Sequence, residues 1–172
     1  MMTTFKNAII LLGLSLTAVA AHAGSPDGMS VAAVGSTAAT PFTSAVTRFF
    51  SDYKRDGISC GEDALRIERI YTTGLPRQIT SELALAAARD RSKRKKLAKI
   101  LTSYRDDLLD HGFDAVLAYD VKDGQLRLYG ISGSLHQDVL ESRLSVDAAK
   151  DQQKFNIAAC KVLASLPVLV TP

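Results

Sequence analysis

Cysteine is scarce in this sequence, with two among 172 residues. They do not form a paired-cysteine motif, so a zinc site of the finger type is excluded. There is no glycine-rich phosphate loop and no dinucleotide fingerprint, which removes the commonest nucleotide-binding classes. No internal repeat is present, and that argues against a solenoid. Only one apolar run is long. It extends from Ala8 to about Ala20, too short to span a bilayer comfortably, and nothing after it is long enough to cross a membrane.

What flanks that run decides its role. One cation, Lys6, precedes it, and Ala21-His22-Ala23 follows, with small residues where a signal peptidase must fit. Residues 1–23 therefore read as a cleavable secretory signal, and the protein as exported, either periplasmic or secreted. No cysteine follows the cleavage point to carry a lipid. Removing 23 of the 172 residues leaves 149, enough for one domain with a real core. Residues 24–40 are rich in Gly, Ser, Ala and Thr and keep no sustained period, which reads as a flexible arm before a domain over 41–172.

In an exported chain two cysteines most simply form one disulfide, Cys60 to Cys160. The alternative is a nucleophilic Cys60 in Cys60-Gly61-Glu62-Asp63, served by His111 or His136. Free thiols survive poorly in an oxidising compartment, so the crosslink is the preferred reading.

The most specific local signal is Asp123-Gly124 between two alternating segments. A two-residue turn there needs positive φ at both positions and sets the partners by counting outward. Lys122 then faces Gln125, Val121 faces Leu126, Asp120 faces Arg127, Tyr119 faces Leu128 and Val116 faces Ile131. Leu117, Tyr119, Val121, Leu126 and Leu128 share one face, and Asp120, Lys122, Gln125 and Arg127 the other. A slip of one residue would turn the apolar set to water.

Elsewhere the periods are helical. Thr40 caps and Pro41 opens a helix bearing Phe42, Val46, Phe49, Phe50 and Tyr53, stopped at Gly57. Leu97, Ile100, Leu101, Tyr104 and Leu108 form a stripe suited to covering the hairpin's apolar face, with Gly112 as its cap. Residues 148–163 predict a last helix, and Val139 to Val146 a third strand. Between Ala64 and Ala88 the pattern fits either a strand followed by a helix capped by Thr80 or a second hairpin, and the first is preferred. The expected fold is α+β: a small antiparallel sheet containing the Asp-Gly hairpin, packed against three or four helices.

Charge is concentrated in one place. Arg89, Arg91, Lys93, Arg94, Lys95, Lys96 and Lys99 stand against Asp90 alone, in a chain whose net charge is only +3. If a helix begins near Ser92, these cations sit at its positive end, against the dipole. Either one helix runs unbroken from about Thr80, which places them mid-helix, or the patch meets something anionic. A solvated face is the plainer reading of any charge run. As a binding surface it points to a protein partner, or to an anionic envelope polymer. Nucleic acid fits poorly, because no aromatics are interleaved to stack bases.

Catalytic signals are thin. Asp107 and His111 share helical spacing for a metal, although a histidine in a last turn also suits the dipole. Gly130-Ile131-Ser132-Gly133-Ser134 lacks the second glycine of a nucleophile elbow and reads as a strand end. No catalytic residue, metal ligand or cofactor is assigned. The expected function is that of a small exported binding or accessory protein of inhibitor or immunity type. A polyanion-binding envelope protein and a small secreted hydrolase are the alternatives.

Overall fold

The structure, a computed structural model, describes residues 29–56, 60, 67–72, 74–107, 113–134, 138–164 and 166. Residues 1–23, read from the sequence as a secretory signal, Gly57, His111, Gly112, His136 and the Asp107–His111 pairing lie outside what it describes. Among the described residues no helix is long and apolar enough to cross a membrane.

The α+β class holds, with a five-stranded sheet and four α-helices among the described residues. In chain order the elements are β1 (Met29–Gly35), α1 (Thr43–Asp56), β2 (Ile67–Tyr71), α2 (Ser81–Arg89), α3 (Arg91–Asp107), β3 (Ala115–Lys122), β4 (Gln125–Ser132), β5 (Leu140–Ser145) and α4 (Gln152–Leu163). The strands lie in the order β2-β1-β3-β4-β5.

The hairpin forms in the expected register, with each of the five predicted pairs in place. Asp123 and Gly124 have φ of 53° and 70°, the positive values that a two-residue turn requires. The third strand extends this antiparallel unit, since β5 pairs antiparallel with β4.

The other half of the sheet is parallel, so the sheet is mixed: β1 runs parallel to both β2 and β3. This half contains the main departure from the sequence reading. Residues 29–35, expected within a flexible arm, form β1, between β2 and β3, with Val31 and Ala32 fully buried. A strand covered on both faces carries no polar–apolar alternation. Here the covered residues are mostly alanine and valine, whose small size resembles linker composition.

Helices cover both faces. Val31, Ala33, Leu117, Tyr119, Leu126 and Leu128 pack against Val46 and Phe49 of α1 and Phe155 and Val162 of α4. Ala32, Val34, Val116, Ala118, Tyr129 and Ile131 pack against Ala84 and Ala87 of α2 and Leu97 and Leu101 of α3. The α3 stripe thus covers the opposite side of the hairpin from the one expected, because α1 and α4 occupy the Leu117 side. Pattern shows that a helix face is apolar, not which sheet face it meets.

Helix ends follow local chemistry. Thr37–Phe42 is a 3-10 turn with Pro41 inside it, and the Thr40 hydroxyl donates to the Thr37 carbonyl instead of capping α1. Thr80 does cap α2, accepting from the Leu83 N–H at 3.1 Å, which settles the 64–88 ambiguity for the described residues in favour of strand then helix. Asp151 caps α4. The backbone N–H groups of Lys154 and then Gln153 hold its carboxyl below the usual range.

Cys60 and Cys160 are joined as a disulfide, tying the segment after α1 to α4. That bond removes Cys60 as a nucleophile.

Candidate functional site

The basic run occupies the corner where α2 turns into α3, and one residue makes that corner. Asp90 is extended, with φ −123° and ψ 120°, so the two helices are separate. Its N–H donates to the Ala86 carbonyl and closes α2, while its own carbonyl accepts from Arg94. Its carboxylate accepts from the Ser92 N–H at 2.7 Å at the start of α3. The single anion in the run therefore sits at the positive end of the α3 dipole and offsets the cations crowded there.

This corner divides the seven cations into three groups. Arg89 and Arg94 are turned back on the fold. Arg89 lies 3.8 Å from Asp120, whose other oxygen accepts from the Ser36 hydroxyl at 2.6 Å. Arg94 is half-buried and donates from Nε to the Ala87 carbonyl at 3.4 Å, across the helix junction. Arg91, Lys95 and Lys99, at spacings of four, form an exposed row on α3. Lys93 and Lys96 face a groove between α2 and α3.

The groove has a volume of about 370 Å³. Leu83, Ala86 and Ile100 form its apolar floor; Lys93, Lys96, Arg77 and Glu82 supply its charges. Arg77 was not found by sequence reading. It lies in the turn before α2, remote from the run, and only the packing of α3 on α2 brings it alongside Lys93 and Lys96. Among the described residues no carboxylate is ion-paired with Arg91, Lys93, Lys95, Lys96 or Lys99.

The arrangement can bind a ligand that carries negative charge beside apolar surface. Cations at a groove's rim draw in anions over about a Debye length, and the partly exposed Leu83 and Ile100 reward apolar contact. The serine weighed as a nucleophile is not among its lining residues. Ser132 lies at the end of β4, is 4% exposed, and its hydroxyl accepts from the Ser134 N–H at 3.0 Å. Among the described residues no three His, Cys, Asp or Glu side chains come together as a metal site.

Compared with protein-family models, with curated proteins and with solved structures, the chain matches none.

Proposed function

We propose that this is an exported accessory protein whose α2–α3 groove docks an acidic segment of another envelope or secreted protein, in the manner of an inhibitor or immunity-type protein. The observation that carries the reading is the pairing of Lys93, Lys96 and Arg77 with an apolar floor. A purely anionic polymer would use the charges and gain nothing from Leu83 and Ile100. A protein segment with carboxylates beside apolar side chains uses both, and the apolar share keeps its complex together when salt screens the charges. Export is supported by the signal-like residues 1–23 and by the disulfide, a bond that persists in oxidising compartments.

Affinity capture from an envelope extract tests this, using mature protein and a variant with Arg77→Glu, Lys93→Glu and Lys96→Glu. Arg94 stays unchanged because it joins the two helices. The wild type is expected to retain one acidic protein in constant ratio at high salt, and the variant to bind it roughly tenfold or more weakly. A heterogeneous catch that salt dissolves would favour a polyanion ligand. An empty catch in both would reopen the hydrolase alternative.

A further inference from the structure

β5 ends the sheet, and among the described strands only β4 pairs with it. The Val146 N–H donates to the Gly124 carbonyl at 3.0 Å, and Leu144, Ser142 and Leu140 lie opposite Leu126, Leu128 and Gly130. Residues of an antiparallel strand alternate between bonding inward and outward. The even-numbered residues of β5 therefore bond to β4, while Glu141, Arg143 and Ser145 aim their backbone N–H and C=O groups away from the sheet.

An open edge is a template for another strand, and proteins blunt it with proline, a bulge or charged side chains, which repel a second copy unless its own charges are placed to match them. β5 contains no proline, its register with β4 has no bulge, and its charges are of opposite sign. Leu140-Glu141-Ser142-Arg143-Leu144 is complementary to itself when turned antiparallel about Ser142. Leu140 then meets Leu144, Glu141 meets Arg143, and Ser142 meets its own copy. The same register places outward-bonding residues opposite outward-bonding residues, as a strand ladder requires. A shift of one residue would lose both matches.

A second observation concerns Arg143. It stands directly opposite Arg127 of β4, a like-charge pair that disfavours the sheet. Within the chain Arg127 is met by Asp123 at 3.2 Å and lies opposite Asp120 of β3, while among the described residues Arg143 has Glu141 alone, to which it donates at 2.7 Å. In the self-paired register, Glu141 of a second copy stands beside Arg143 on its free side.

We propose that the β5 edge is a self-association site, where two copies pair β5 to β5 about Ser142 and join their sheets into one.

Sedimentation equilibrium of the mature, disulfide-bonded protein tests the proposal. At roughly 100 µM the mass should be twice that of the monomer. Glu141→Arg and Arg143→Glu each place like charges opposite one another across the two-fold. Each should weaken the dimer by roughly tenfold or more. An equal mixture of the two variants restores opposite charges at all four positions and should regain the wild-type affinity. Hydrogen exchange on the wild type gives a reading that needs no variant: the amides of Glu141 and Arg143 should slow as concentration rises. A wild type that stays monomeric, a dimer indifferent to both reversals, a mixture that fails to pair, or edge amides that exchange equally fast in the dimer would each overturn the proposal.

Discussion

Replacing Cys60 and Cys160 together by alanine is expected to lower the unfolding free energy by roughly 4 kcal/mol. The bond spans a sequence separation of 100, so without it the unfolded chain regains the freedom of a very long loop. The two ends it joins also matter. Cys160 lies on α4, and both cysteines pack against the Phe49–Phe155 cluster between α1 and α4. For a domain of this size the loss should appear as a fall in Tm of about 10 °C. Urea titration of the double variant, with reduced wild type alongside, measures it directly. A change below about 1 kcal/mol would mean that the chain-entropy account does not apply here.

Gly130→Ala is expected to cost roughly 3 kcal/mol, although it adds a single methyl group. Gly130 pairs with Leu117 on one side and Leu140 on the other, beneath α4. A Cβ at this position would be placed on the Val162 carbonyl oxygen. That oxygen belongs to the helix backbone and cannot rotate aside, so the second half of α4 must lift from the sheet. Gly124→Ala is the useful contrast. Nothing lies near a Cβ there, and its φ of +70° limits the cost to backbone strain of about 1 kcal/mol. Chemical denaturation of both variants should rank them in that order. Equal costs would show that α4 yields where the packing says it cannot.

Those two glycines also show how differently parts of this fold were legible in the sequence. Gly124 belongs to a turn whose backbone angles dictate the partners of every residue on either side, so the hairpin register was readable pair by pair. The packing role of Gly130 depends on Val162, 32 positions further along the chain (162 − 130), and no local pattern contains it. β1 was missed for a related reason. Its identity as a central strand comes from neighbours on both sides and helices on both faces, whereas its own residues are small and non-alternating. Parallel pairing of this kind is set by long crossovers and has no turn signature.

The candidate site was legible as composition but not as geometry. The seven cations were plain to see, and so was their apparent conflict with a helix dipole. The resolution rests on Asp90 closing one helix and capping the next, a double role that becomes visible only once the break is placed. Which cations bind outward and which brace the fold follows from the phase of α3 against α2. That phase sends Arg94 to the Ala87 carbonyl and Lys93 to the groove. It also recruits Arg77, for which the sequence held no signal beyond its charge.

The groove is tested most directly by a photo-crosslinking residue placed at Ile100, on its apolar floor, and separately at Ile157, an exposed apolar position on α4 that serves as the control. Irradiation of cells producing the protein is expected to yield one protein adduct of constant size from position 100. That adduct should disappear when Lys93 and Lys96 are changed to glutamate, and position 157 should not give it. No adduct at 100, or the same adduct from 157 with the lysine changes without effect, would contradict docking in the α2–α3 groove.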